Sequence, residues 1–351
     1  MKILDIRGSE GSSSLLVGER IHNLQKYISA SHAVIITDTN VKHFYQDIFP
    51  PYDIITIGTG EAIKTLDTAR FIYGELVELE ADRSSFIIGI GGGIVCDIAG
   101  FAASTYLRGI NFGFVSTTLL SQVDASVGGK NGVNFEGYKN MVGVFNQPRF
   151  VLCDPHLLNT LPEKEIRCGF AEIVKHAAIA DKNLFAYLEA HYPQALAIDS
   201  DVIEKLVYDS VVIKSDIVNR DEKEKGERRK LNFGHTFGHA IEKTIGVSHG
   251  EAVSAGMVMA TALSVKRGHL PDRDSQRLKH LLQNFGLPTK FQVDKTRFID
   301  ALYKDKKRKG DHIHFVLLNG LGSAFLEEIP IKELEKFIDS EYIFDNGYSS
   351  M

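Results

Sequence analysis

The sequence predicts an α/β part followed by a mainly α-helical part, with the boundary near residue 155. Three observations predict it. Up to residue 150, short apolar runs alternate with helical stretches. One of those runs leads straight into Gly91-Gly92-Gly93 and then into a helical pattern. From about Pro155 onward, helical periodicity dominates. Short buried strands separated by helices form a parallel sheet covered on both faces. The first part is therefore a parallel, Rossmann-like sheet over 1–155, and the second a helical domain over 156–351.

Each element has a local reason. Ala33–Ile36 is an apolar strand ending in Thr37, Asp38, Thr39 and Asn40. Asp53–Ile57 is a second, ending in Gly58, Thr59, Gly60 and Glu61, and a helix follows from about Ile63 to Leu79. Ser85–Ile90 is the third strand, Ile94–Thr105 a helix, and Phe112–Val115 the fourth strand. Pro162 suits the first turn of a helix. Helices are then expected over Glu163–Ala180, Asn183–Ala190, Val202–Asn219, Lys230–Thr244, Glu251–Arg267 and Asp274–Asn284. His312–Leu318 and Ser323–Glu327 read as a hairpin around Asn319-Gly320. Ligands of such sheets bind beyond the carboxyl ends of the strands, so a site is expected in the cleft between the two domains.

Bulk properties exclude several classes. With 40 basic and 45 acidic side chains the net charge is −5, which does not suit a general nucleic-acid or membrane-surface role. Cys96, Cys153 and Cys168 are odd in number and lack metal-type pair spacing, which fits a reducing compartment. No segment reads as a signal peptide or a bilayer span, so a cytoplasmic protein is expected.

Several stretches carry chemistry. Gly91-Gly92-Gly93 between strand and helix can cradle a phosphate on backbone N–H groups, although it is neither the GxGxxG fingerprint nor a Walker loop. Asp97 and Asp38 could accept hydrogen bonds from a ribose, or could be caps. Residues 116–140, rich in Gly, Thr, Ser and Asn, read as loops on which Lys130, Lys139 and Asn140 suit an anion. Glu172 and Lys175 share a helix face, as a surface ion pair would also do. His235 and His239 share another face, Glu242 lies near it, and His249 follows the Gly246 break. Histidines so grouped, with Glu172 as a carboxylate from another segment, make a metal site with open positions. Mixed nitrogen and oxygen ligands suit Zn²⁺ or Co²⁺ better than Mg²⁺.

GGGIVCDIAGFAASTYLRG, TTLLSQVDASVGGK, KNMVGVFNQP, TLPEKEIRCGFAEIVKH, LNFGHTFGHAIE and SHGEAV stand in this order. Together they resemble the sugar phosphate cyclases, and among them the 3-dehydroquinate synthase family, over nearly the whole chain. The resemblance implies an NAD-binding N-terminal domain and a metal- and substrate-binding C-terminal domain. NAD would be held by Asp38, Asn40, Gly60, Glu61 and Lys64, by Gly92, Gly93, Ile94 and Asp97, and by Thr117, Thr118, Lys130, Lys139 and Thr160. One divalent metal would be held by Glu172, His235 and His249, which leaves His239 as an acid–base residue. Lys130, Asn140 and Lys306 would meet the substrate phosphate, with Arg108 reaching in from the partner of a homodimer. Lys214 and Arg228 would hold a carboxylate, and Asp124, Lys175 and Asn232 the sugar hydroxyls.

The implied reaction turns a seven-carbon keto-acid sugar phosphate into a carbocycle, with transient oxidation, phosphate elimination, re-reduction and aldol closure. It is a step of the shikimate pathway to chorismate and aromatic amino acids. Three positions depart from the commoner pattern: Ser116 stands for a proline, Phe135-Glu136-Gly137-Tyr138 for a His-Pro loop, and Lys164 for an arginine. The competing readings are a metal-dependent polyol dehydrogenase, a cyclase for a sugar without the carboxylate, and a catalytically dead NAD-binding scaffold. The first has no need of Lys130, Asn140, Lys214 and Arg228. The second has no need of Lys214 and Arg228, and the third none of the metal and lysine sets.

Overall fold

The computed structural model describes residues 1–8, 11–221, 224, 226–303 and 308–341. The chain forms two compact units, Met1–Ile166 with Ile198–Glu222, and Arg167–Ala197 with Lys223–Met351. The sequence predicts a single boundary near 155. The chain instead leaves the first unit, returns to it for one helix, and leaves it again.

Strands β1 (Lys2–Gly8) and β2 (Gly11–Val17) form an antiparallel pair. Strand β3 (Ala33–Asp38) leads into α1 (Thr39–Tyr45), and β4 (Asp53–Ile57) precedes α2 (Leu66–Glu78). Strand β5 (Phe86–Gly91), α3 (Gly93–Thr105) and β6 (Asn111–Ser116) follow. A π-helical turn, Ser121–Ala125, comes next. Then β7 (Lys130–Phe135) and β8 (Tyr138–Phe145) make a two-stranded ribbon before β9 (Phe150–Cys153).

Seven strands form one sheet in the order β1-β2-β9-β6-β5-β3-β4. Every pairing from β2 to β4 is parallel, and only the edge strand β1 runs against its neighbour. β5 is buried along its whole length, as expected of a central strand covered on both faces. Its Gly89 allows α3 to lie close, because a Cβ there would be 3.0 Å from that of Ala99. The order reverses between β3 and β5, so their carboxyl ends open a crevice at the switch point.

The helices that follow are α4 (Glu163–Ala180), α5 (Lys182–Leu196) and α6 (Ser200–Arg220). α6 belongs to the first unit and packs on β1, β2 and the π turn. After a 3-10 turn at Glu227–Asn232 come α7 (His235–Ile245), α8 (His249–Lys266), α9 (Asp272–Asn284) and α10 (Lys295–Tyr303). Strands β10 (Arg308–Lys309), β11 (His312–Gly320) and β12 (Ser323–Pro330) form a small antiparallel sheet, and α11 (Ile331–Glu341) ends the described chain. The hairpin turn lies just past the expected Asn319-Gly320, at residues 321–322.

Two departures from the expected elements matter for the site. Residues 116–140 are not simply loops but contain the π turn and β7. The ribbon is tied at its base by Asn131, whose amide donates to the carbonyls of Gly129 (3.1 Å) and Asn146 (2.9 Å). Its far turn holds Glu136 and Gly137 at φ 48° and 76°, the left-handed pair that a two-residue hairpin loop requires. The helix expected from Lys230 begins instead at His235, after Gly234 turns the chain with φ 78°.

α7 and α8 meet through small residues. A Cβ at Gly256 would lie 2.1 Å from the carbonyl oxygen of Gly234. Gly256→Ala must therefore separate the two helices and is expected to lower stability by about 1–3 kcal/mol. Gly74→Ala, on the open face of α2 with nothing within 4 Å, should be neutral or slightly stabilising. Chemical denaturation of the two variants checks both, and an unchanged midpoint for Gly256→Ala would refute the contact.

Candidate active site

In the first unit, the carboxyl ends of β3, β5 and β6 carry the residues singled out for a nucleotide. Asp38 ends β3 and caps α1, accepting from the Val41 N–H at 2.9 Å. Its pKa is raised, chiefly by burial. Asn40 lies exposed just after Asp38, and Gly60 and Glu61 lie exposed after the end of β4. α3 starts at Gly92-Gly93 with no side-chain cap, which leaves its first N–H groups for an anion. A Cβ on Gly93 would lie 2.7 Å from that of Ala125, and one on Gly92 would lie 3.0 Å from Thr118 Cγ2. The glycines thus let the following turn close over the helix start, with the Thr117 N–H donating to the Gly91 carbonyl at 3.0 Å.

Ile94 and Asp97 follow on the first turns of α3. Burial pushes Asp97 up to about 6, and the pairing with Lys64 opposes that rise. The Lys64 ammonium also donates to Asn140 Oδ1 at 2.6 Å. Lys130 and Lys139 sit exposed on the ribbon. Asp124, on the π turn, is paired with the buried Lys214 of α6, which also donates to the Asp124 carbonyl. Thr160 is hydrogen-bonded through its hydroxyl to Tyr45 at 2.7 Å. Arg108 is exposed in a turn after α3, at φ 69°.

The departures near this site have local partners. Ser116, in place of a proline, is fully buried with its hydroxyl 2.6 Å from that of Ser126. Ser126 in turn donates to the Ser121 carbonyl, so the two serines brace the π turn. Gln122, buried in that turn, was not anticipated from the sequence. Its amide donates to the carbonyls of Ser116 (3.1 Å) and Asp154 (3.2 Å), where β6 and β9 end. An isolated glutamine in a Gly- and Ser-rich stretch carries no signal of such a role.

The second unit brings Glu172, His235 and His249 together, with one ligand atom of each within 4.8 Å of the others. Glu172 and Lys175 are not a surface ion pair: they are 0% and 1% exposed, and the ammonium holds Glu172 Oε2. Glu172 Oε1 is buried without a hydrogen bond. It faces His235 Nε2 at 3.8 Å and His249 Nε2 at 3.6 Å.

The other nitrogen of each ring faces an acceptor. His235 Nδ1 lies 3.1 Å from the Phe233 carbonyl, and His249 Nδ1 lies 3.5 Å from Glu242. Those contacts favour a proton on Nδ1 and turn both Nε2 atoms toward Glu172 Oε1. Ligand atoms set tetrahedrally around one ion of zinc size lie about 3.3–3.6 Å apart, so the two spacings to Glu172 Oε1 are close to those a shared cation requires.

Electrostatics agree with a site built for positive charge. Burial alone would raise Glu172, yet Lys175 and the two histidines hold it well below the usual carboxylate range. Burial and then the Lys175 charge hold His235 well below the ordinary imidazole value. Against burial, the nearby Glu172 and Glu242 carboxylates raise His249 to about 9. His239, one turn after His235, lies edge-on to it with ring centroids 5.3 Å apart and outside the three-ligand set. Asn232 donates to Glu224 at 2.8 Å, and Arg228 is buried in the 3-10 turn before it. Lys306 lies outside the described residues.

The profile described as 3-dehydroquinate synthase N-terminal matches residues 54–168, and that described as 3-dehydroquinate synthase C-terminal matches 169–308. The 3-dehydroquinate synthase of Halorhodospira halophila is 42% identical over 326 residues, 90% of this chain and 92% of that protein. Among solved structures, a 2-deoxy-scyllo-inosose synthase complexed with carbaglucose-6-phosphate, NAD⁺ and Co²⁺ superposes with a TM-score of 0.86 at 26% identity. It covers 97% of this chain and 100% of that one. The 2-epi-5-epi-valiolone synthase ValA of Streptomyces hygroscopicus, solved with NAD⁺ and Zn²⁺, matches with the same TM-score at 25% identity, over 95% of this chain and 98% of that one. The alternating strands, the glycine turn into α3 and the buried glutamate–histidine cluster thus stand in a chain that belongs to the 3-dehydroquinate synthase family.

Proposed function

We propose that this chain converts 3-deoxy-D-arabino-heptulosonate 7-phosphate into 3-dehydroquinate and phosphate, as a carbon–oxygen lyase of aromatic amino acid biosynthesis. The observation that carries this reading is the 42% identity to a 3-dehydroquinate synthase over 90% of the chain. NAD and one divalent metal are its cofactors. The uncapped start of α3 and the unpartnered Glu172 Oε1 are the features that fit them. When bound, NAD supplies a reversible hydride acceptor and the metal a Lewis acid for vicinal hydroxyls.

The chain's own residues have the following roles. Glu172, His235 and His249 hold the metal, and Lys175 keeps Glu172 ionised while contacting the sugar with Asp124 and Asn232. His239 moves protons at the sugar. The N-terminus of α3, with Asp38, Asn40, Gly60, Glu61, Lys64, Asp97, Thr117 and Thr118, holds NAD; Lys139 and Thr160 belong to the same set. Lys130, Asn140 and Lys306 meet the phosphate and stabilise the charge that develops as it leaves. Lys214 and Arg228 hold the carboxylate. Arg108 serves the partner's site in a homodimer. A cytoplasmic setting accords with three unpaired cysteines.

Chelation is expected to abolish turnover, with Zn²⁺ or Co²⁺ restoring it. Glu172→Gln keeps the shape but lowers the ligand's charge, so it should weaken metal binding by at least about 10-fold. Metal content after dialysis checks this, and full retention of metal by Glu172→Gln would refute the ligand set.

Arg228→Ala is expected to lower kcat/KM by about 10- to 100-fold through loss of charge-assisted hydrogen bonds, with little change in NAD affinity. Arg228→Lys should recover only part, because lysine lacks the planar fork. Sedoheptulose 7-phosphate, without the carboxylate, should be a poor substrate. Equal turnover of that sugar would instead favour another cyclase activity.

A further inference from the structure

Lys64 touches two residues that the proposed function gives to different ligands. Its ammonium pairs with the Asp97 carboxylate and donates to Asn140 Oδ1 at 2.6 Å. Lys64 is 5% exposed, so its ammonium is shielded from water, while Asn140 itself lies exposed on the ribbon. An ammonium has donors only, so the Asn140 amide must turn its oxygen toward Lys64. The two N–H groups of a planar amide then point away from Lys64, as donors for an acceptor on the other side.

The backbone supports the same arrangement. Asn140 is held at φ 51°, a conformation asparagine tolerates better than most residues. Its N–H donates to Asn134 Oδ1 at 2.9 Å, and the Asn134 amide donates to Glu61 Oε1 at 2.8 Å. The Asn134 N–H donates to the Lys64 carbonyl at 2.8 Å. The ribbon that carries Asn140 is thus fastened to residues 61–64 by both backbone and side chain.

We propose that Lys64 is a positioning residue for the phosphate end of the site. It orients the Asn140 amide so that its N–H groups face the anion, and through Asp97 it couples phosphate binding to NAD binding. The proposal rests on Asn140 as a phosphate contact and Asp97 as a cofactor contact. One ammonium shared by both subsites makes the coupling reciprocal: NAD bound against Asp97 acts on the ion pair that holds Lys64, and through Lys64 on the Asn140 amide.

Titration calorimetry of the full chain with inorganic phosphate, in the presence and absence of NAD, tests this on Lys64→Met, Asn140→Ala and the double variant. Each single change should weaken phosphate about 10-fold, and the double should be no weaker than the worse single. At NAD concentrations shown by direct titration to saturate each protein, NAD should tighten phosphate severalfold in the unmodified protein and not in Lys64→Met. Asn140→Asp, which keeps an oxygen toward Lys64 but loses the N–H donors, should lose phosphate binding while keeping NAD affinity and melting temperature.

If Lys64→Met weakens phosphate equally when Asn140 is already alanine, the ammonium acts on the anion directly and the positioning role is overturned. If the NAD effect survives in Lys64→Met, the coupling is overturned. If Asn140→Ala leaves phosphate affinity unchanged while NAD still binds, the phosphate assignment of Asn140 fails instead, and this inference with it.

Discussion

The second unit depends on a carboxylate held where no water reaches it. A buried charge costs several kcal/mol unless it is neutralised and hydrogen-bonded. Glu172 meets half of that requirement with Lys175, one helical turn further along α4. The other half is left to two imidazoles from α7 and α8, which turn their Nε2 atoms toward Glu172 Oε1. Around this point the helices approach one another over glycine. Gly250, at the start of α8, lies against α4, since a Cβ there would be 2.4 Å from the Cα of Cys168. Ser248, before α8, donates its N–H to Glu251 at 3.0 Å and fixes where that helix begins. His249 is therefore set by a cap, and His235 by the Gly234 turn.

The first unit uses backbone more than side chains. Its strand ends supply N–H groups, glycines and short hydroxyl chains, and its charged groups come in shared pairs, Lys64 with Asp97 and Lys214 with Asp124. Each lysine makes a further bond, to Asn140 or to a backbone carbonyl. Such groups hold their geometry because each charge has a fixed counterpart in a poorly hydrated place.

How much of this is legible in the sequence follows from what leaves a periodic trace. β4, α4 and the glycine turn into α3 are readable because apolar spacing and glycine placement are local. The metal cluster is readable in part because two of its members, His235 and His249, lie within fifteen residues of each other. The ribbon is not, because Lys130–Phe135 and Tyr138–Phe145 carry few buried positions, and their pairing is held by Asn131 and by close glycine contacts. The burial of Glu172 and Lys175 is also hidden, since their three-residue spacing suits an exposed pair equally well. The membership of α6 in the first unit is a long-range fact that no window of sequence contains.

That membership bears on how the chain is made. The strip of α6 formed by Val202, Ile203, Leu206, Val207 and Val211 is buried, and the helix covers β1, β2 and the π turn. Those strands leave the ribosome well before α6, because their cover is encoded after the excursion through Arg167–Ala197. At ordinary rates of synthesis the nascent sheet waits on the order of seconds for it. During that interval the apolar side chains that α6 will cover stand open to water. The first domain therefore cannot finish folding in the order in which it is translated. A fragment cut at the end of its last strand would keep every strand of the sheet and lack the helix that seals it, together with the lysine that anchors Asp124.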